Sequence, residues 1–285
     1  MTAVTSDFAP APPKPEVIRR HGLVVRLTHW LNVIVISMLL MSGLNIFNAH
    51  PRLYWGQAGA DFDRPWLELT VETPVSGGAR GVARISDREI ETTGLLGLSR
   101  GPDGHWLVQG FPNWATLPGT RDLATARRWH FFLAWLFVIN GAAYWLIGLA
   151  NGHLRRDIGL TRGDIRPRNL WRSIIDHVRL KHPVGDEAKR YNVLQKLAYL
   201  AVIVLLLPTM VLTGLTMSPG VDAALPWLTV LFGGRQSARA LHFITANLIV
   251  LFVIVHVVEV FLAGAWNEIR SMITGRYVVP MEKHR

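Results

Sequence analysis

The sequence predicts an all-α membrane protein, a four-helix transmembrane bundle with N- and C-termini cytoplasmic and a long external loop between helices one and two. Three features of the sequence carry that prediction. Half of the 285 residues are hydrophobic and only 18% are charged, a balance that favours a polytopic membrane protein over a soluble domain. Four apolar runs reach the roughly 20 residues a helix needs to cross a bilayer: Leu27–Phe47, Trp129–Leu149, Leu197–Met217 and Leu241–Ala263. Cationic residues crowd into the segments that flank these runs, as the orientation rules for membrane helices require.

In chain order, residues 1–26 read as a disordered basic tail. Ala9-Pro10-Ala11-Pro12-Pro13 is followed by Arg19, Arg20 and Arg26, with no short apolar stretch and small-residue cleavage site of a signal peptide. The first span is therefore expected to be retained, and residues 27–285 to form one domain. A net charge of +10 would suit nucleic acid, but the flanking positions of the charges explain it more simply. The chain has no cysteine, which excludes thiolate iron–sulfur clusters, disulfides and thioether-linked cofactors on this chain.

Residues 50–128 form an external segment too long for a turn. Gly and Pro are frequent there, and Trp66-Leu67-Glu68-Leu69-Thr70-Val71 alternates, so the expectation is an irregular cap with a hairpin. Its nine Arg are matched by nine acids, and it carries no catalytic motif; His50 and His105 read as surface residues. Such a cap could dock another subunit or simply cover the bundle. The loop 151–196 holds eleven Lys or Arg, more than twice its acids, which marks it and the N-terminus as cytoplasmic. Four spans then return the C-terminus, with Arg270, Arg276, Lys283 and Arg285, to the same side. Within the loop, Leu170 to Val178 has helical apolar spacing and reads as a helix on the membrane surface. His153, His177 and His182 stand among basic residues outside the spans. Pro208 predicts a kink in span three.

The remaining histidines carry the chemistry. His242 and His256 are 14 residues apart in the last span, which at 100° per residue returns them to nearly one face, about 21 Å apart in depth. His130 opens span two at the outer side, and His29 opens span one at the inner side. Depth therefore pairs His130 with His242 and His29 with His256. A single buried histidine is more often a hydrogen-bonded core residue. Four at two shared levels, with span three lacking any, fit two bis-histidine b haems, whereas zinc or copper needs ligands clustered at one depth.

Several residues could support such haems. Gly43, 14 after His29, and Gly141 and Gly148, after His130, could let a macrocycle lie against a helix or could serve ordinary packing. Arg127, Arg128, Arg235 and Arg239 could meet propionates or snorkel at the membrane boundary. Glu259, one turn beyond His256, could relay protons or pair with a base such as Lys196.

Thr28-His29-Trp30, the His130 opening, Tyr191-Asn192-Val193-Leu194-Gln195-Lys196 and the 14-residue histidine pair resemble the bacterial di-haem cytochrome b family. That family includes cytochrome b561 proteins and the membrane subunits of formate dehydrogenase, nickel hydrogenase and thiosulfate reductase. The long external loop departs from its shorter members. The resemblance implies haem ligation by His29, His130, His242 and His256, with a quinone site near the inner haem at Asn192 and Gln195, although helix capping explains those two equally. It also implies electron flow between the quinone pool and a periplasmic oxidoreductase in the bacterial inner membrane, with a molybdenum-cofactor enzyme as the first expectation for that partner. A stand-alone oxidoreductase taking electrons from superoxide at the outer haem is an alternative, as is a haem-free transporter or membrane anchor.

Overall fold

The computed structural model describes residues 16–60, 62–179 and 185–280. The Pro/Ala-rich stretch, His182, Lys283 and Arg285 lie outside the described residues. Four helical runs are long and apolar enough to cross a membrane. The first (Leu23–Phe47), second (Leu123–Ala150) and fourth (Arg235–Leu262) are continuous α-helices. Each starts about a turn or more before its expected residue, because polar interfacial residues continue a helix that hydropathy alone cuts short. The Asp122 carboxylate caps the second by accepting from the Thr125 N–H at 3.0 Å.

The third span has three parts, Val193–Leu200, a π-helical stretch Ala201–Leu206, and Leu207–Thr216. Proline lacks an N–H and its ring strikes the carbonyl four residues back. The wider turns just before Pro208 absorb that conflict while keeping the backbone paired within the apolar layer.

The first span packs along the second, and the outer part of the third packs on the fourth; backbone packing between these two pairs is sparse. Asn140 ties the first pair together, its amide donating to the Thr28 carbonyl at 2.9 Å and to Asn32 Oδ1 at 2.8 Å. Outward-facing Phe131, Trp135, Ile139, Leu251 and Phe261 are exposed, as suits contact with lipid chains.

The external segment is more regular than expected. Arg52–Leu53, Leu67–Glu72, Arg80–Ile85 and Arg88–Glu91 form a four-stranded antiparallel sheet in chain order, and Gly97–Arg100 pairs with Trp106–Gln109. The matched charges lie on it as a ladder. Register places Arg52 opposite Glu68, Glu68 opposite Arg84 and Arg84 opposite Glu89, and ion pairs of 2.6, 2.9 and 2.6 Å join them in turn.

Phe47, Leu53, Leu67, Leu69 and Ala83 form the core beneath the sheet, with Phe111 and Phe243 packed against it, so cap and bundle share one apolar centre. The fourth span starts on the cap: the Gln236 and Ser237 N–H groups both donate to the Gly56 carbonyl at 3.1 Å. Gly234, at φ 111°, lies so close to Gly56 that a Cβ would collide with its carbonyl.

At the opposite end, Val17–Arg19 pairs antiparallel with Arg276–Val278. The expected tail thus gives way to structure at Val17, and both ends of the described chain lie on one side of the bundle. The helix expected from Leu170 runs Pro167–Val178, and a further helix, Ala265–Thr274, follows the fourth span.

Candidate functional site: two histidine pairs

Each of the four span histidines faces one other. The His130 and His242 rings have centroids 6.3 Å apart with planes at 62°. The His29 and His256 rings are likewise 6.3 Å apart, with planes at 65°. Spans one and two contribute one ring each and span four contributes two, across the sparsely packed gap between the helix pairs. Among the described residues no cluster of three or more His, Asp or Glu side chains could hold a bare metal ion.

The spacing can be tested against a bound haem. Metal–imidazole bonds are about 2.0–2.1 Å and the ring centre lies about 1.1–1.2 Å beyond the nitrogen, so two imidazoles that shared one iron from opposite sides would have centroids roughly 6.2–6.6 Å apart. Both pairs fit.

The outer pair is held by hydroxyls. Ser42 Oγ donates to the Met38 carbonyl at 2.8 Å and lies 3.0 Å from His130 Nδ1. Thr213 Oγ1 donates to the Thr209 carbonyl at 2.6 Å and lies 3.0 Å from His242 Nδ1. A hydroxyl whose proton goes to its carbonyl is free to accept from an imidazole N–H, and a proton on Nδ1 would leave the lone pair of Nε2 for a metal, the form a ligand requires. The glycine after each hydroxyl lies against the same ring: a Cβ at Gly43 would be 3.4 Å from His130 Cε1, and one at Gly214 3.4 Å from His242 Cε1. Gly43 thus touches the imidazole itself. Gly141 has no neighbour at that range, and Gly148 lies against Leu154.

No sequence signal marked Ser42 or Thr213, because hydroxyl residues in apolar helices usually bond only their own backbone. Once the histidine levels are assigned, the recurrence of a hydroxyl residue followed by glycine in spans one and three is the clue that finds them.

The inner pair lacks such anchors among the described residues. His29 Nδ1 is buried without a hydrogen-bond partner, and the His256 ring stacks on Phe252 at 5.9 Å with planes at 11°. His21, unmarked by any motif, is also buried there with Nδ1 unpartnered. Burial, with Arg20 beside it, pushes its imidazole down to about 4.

The other candidates are placed as follows. Asn192 and Gln195 form a reciprocal capping box at the start of span three: Asn192 Oδ1 accepts from the Gln195 N–H at 2.8 Å, and Gln195 Oε1 accepts from the Asn192 N–H at 3.2 Å. Arg239 donates to the carbonyls of His50 and Arg52, and Arg235 to that of Met217 at 2.8 Å. Arg128 donates to Thr125 at 3.0 Å, and Arg127 lies over the Phe131 ring. Glu259 meets His177 Nε2 at 3.3 Å, whereas Lys196 pairs with Asp164 at 3.0 Å. His153 is bound to Asp157 at 2.6 Å, and His105 is exposed.

A family model described as prokaryotic cytochrome b561 matches residues 20–275. A protein of Azospira oryzae, named as a putative protein-methionine-sulfoxide reductase subunit YedZ1, is 28% identical over 245 residues, covering 86% of this chain and 91% of that protein. No solved structure matches. With four apolar helices and a family match over nearly its whole length, the chain belongs to the prokaryotic cytochrome b561 family and is a multi-pass membrane haem protein of bacterial electron transport.

Proposed function

We propose that the chain binds two b haems, His130 and His242 holding the outer one and His29 and His256 the inner one, and carries electrons between the quinone pool and a periplasmic oxidoreductase. The observation that carries this reading is the common 6.3 Å spacing of two histidine pairs at two levels of one bundle. Haem bound there supplies one-electron carriage through a layer that excludes ions. The protein's share is to fix the ligands: Ser42 and Thr213 hold the outer imidazoles in the ligating tautomer, and Asn140 locks the helix carrying His29 to its neighbour.

Quinone binds at the inner side, near the start of span three. Capping uses one oxygen of Asn192 and one of Gln195, which leaves both amide NH2 groups able to donate to a quinone carbonyl. The excess of Lys and Arg in loop 151–196 supports a cytoplasmic position for that side and for both chain ends.

The partner is a reductase docked on the external cap. The name of the Azospira relative, a subunit of a protein-methionine-sulfoxide reductase, supports outward electron flow. Oxidation of a quinol releases two electrons and two protons, and reduction of a sulfoxide to thioether and water consumes two of each. A molybdenum enzyme is the class of partner expected from the family resemblance.

The test is a reduced-minus-oxidised spectrum with extracted haem per polypeptide on protein purified in mild detergent. Two b haems per chain, reducible by quinol, are expected. Well-folded protein without haem would overturn the proposal.

A further inference from the structure

From the unequal anchoring of the two histidine pairs we infer that Ser42 and Thr213 lower the reduction potential of the outer haem, and that no equivalent device among the described residues acts on the inner one. This inference rests on the di-haem reading above. Both hydroxyl residues are fully buried, so the only competitors for their oxygens are protein groups. Each oxygen bonds a carbonyl of its own helix and lies 3.0 Å from Nδ1 of the facing histidine; with Nε2 given to iron, Nδ1 keeps the proton and donates it to that oxygen. A hydrogen bond accepted from Nδ1–H raises the basicity of the other ring nitrogen. A more basic axial ligand favours ferric over ferrous iron.

The arrangement is doubled. Ser42-Gly43 on span one meets His130, and Thr213-Gly214 on span three meets His242, with the same 3.0 Å hydroxyl and 3.4 Å glycine distances. Both histidines that would hold the outer haem are therefore supported in the same way. At the inner level no hydroxyl among the described residues is hydrogen-bonded to a ring nitrogen of His29 or His256: Thr28 Oγ1 bonds the Val24 and Val25 carbonyls at 2.8 and 3.2 Å. His29 Nδ1 has no partner among the described residues.

The experiment is a potentiometric titration of the full chain in detergent, followed by the absorbance of each haem, for wild type, Thr213→Val, Thr213→Ser and Ser42→Ala. Thr213→Val keeps the shape and removes the hydroxyl; Thr213→Ser keeps the hydroxyl. One midpoint is expected to rise in Thr213→Val and in Ser42→Ala, by a factor of about 3–10 in the ferric-to-ferrous equilibrium, or roughly 30–60 mV at 59 mV per tenfold change. The second midpoint stays in place, and Thr213→Ser behaves as wild type. Unmoved midpoints, equal movement of both, or a Thr213→Ser shift as large as that of Thr213→Val would overturn the inference. If Thr213→Val loses a haem, retention in Thr213→Ser supports the hydroxyl's role and loss in both counts against it. Wild-type protein without haem would instead overturn the function proposed above, so the two failures are distinguishable.

Discussion

Arg239, on the fourth span, donates from one guanidinium nitrogen to the His50 carbonyl and from another to the Arg52 carbonyl, with the Phe47 ring beneath it at 5.5 Å. A residue one turn from His242 is thus the clamp between bundle and cap. Hydrogen bonds from a charged donor are worth about 1.5–3 kcal/mol each. Arg239→Leu should therefore raise the rate of proteolysis within residues 50–128 by on the order of tenfold or more, measured on the detergent-solubilised protein. Arg239→Lys should rescue little, because a single ammonium lacks the fork that reaches two carbonyls.

The two histidines of span four should separate the haems. His242→Ala should remove one b-type component from the difference spectrum and His256→Ala the other, each leaving about one haem per chain. Loss of the same component in both variants would refute the assignment by level.

Much of this is legible in the sequence, for physical reasons. Lipid forces backbone groups to pair within a segment, so the four spans announce themselves as long apolar runs. Helix geometry makes a 14-residue spacing a statement about depth and face, and this put His130 with His242 and His29 with His256. What was not legible depends on partners distant in sequence. The ladder from Arg52 through Glu68 and Arg84 to Glu89 exists only in one strand register, so its residues read as mere balanced charge. Ser42 and Thr213 look like any hydroxyl residues in apolar helices until the facing helix is known. Arg239 carries the charge expected at a membrane boundary, and its carbonyl partners are 187 and 189 residues away in sequence.

Gly43 offers a test of close contact. Its ideal Cβ would lie 3.4 Å from His130 Cε1, an ordinary contact, so Gly43→Ala should leave the spectrum nearly unchanged. Gly43→Leu adds three more carbons towards a ring already at contact distance and should displace the His130 imidazole, altering or removing the outer haem's signal alone. Equal loss of both haems would show instead that the bundle as a whole had been disrupted.

The Arg84 network predicts how the cap responds to loss of charge. Arg84 donates to Glu68 at 2.9 Å and to Glu89 at 2.6 Å, and also reaches Glu72. Glu68 is 7% exposed and keeps only Arg52 if Arg84 is removed. Removing one partner of a buried pair costs more than an exposed pair is worth, because the remaining charge is left poorly solvated. Arg84→Ala should lower the thermal midpoint of the cap, read from protease protection of residues 50–128, and Glu68→Gln in the same chain should recover part of the loss. An additive double variant would show that the two residues do not act through each other.

His21 makes stability depend on pH in a direction that follows from its burial. In the folded protein its imidazole resists protonation until about pH 4, chiefly because burial disfavours the charged ring and next because Arg20 repels it. In the unfolded chain it takes up a proton near pH 6.5. Between those values the unfolded state binds more protons, so the His21 contribution is complete above pH 6.5 and declines as pH falls towards 4. From pH 6.5 to 5, above most carboxylate titrations, the loss amounts to about 1.5 kcal/mol, because the unfolded imidazole is only half protonated at the upper value. Thermal unfolding in detergent at these two pH values should show a drop in midpoint for the wild type that is clearly smaller in His21→Leu. Equal drops in the two proteins would mean that His21 is protonated, or solvated, in the folded state.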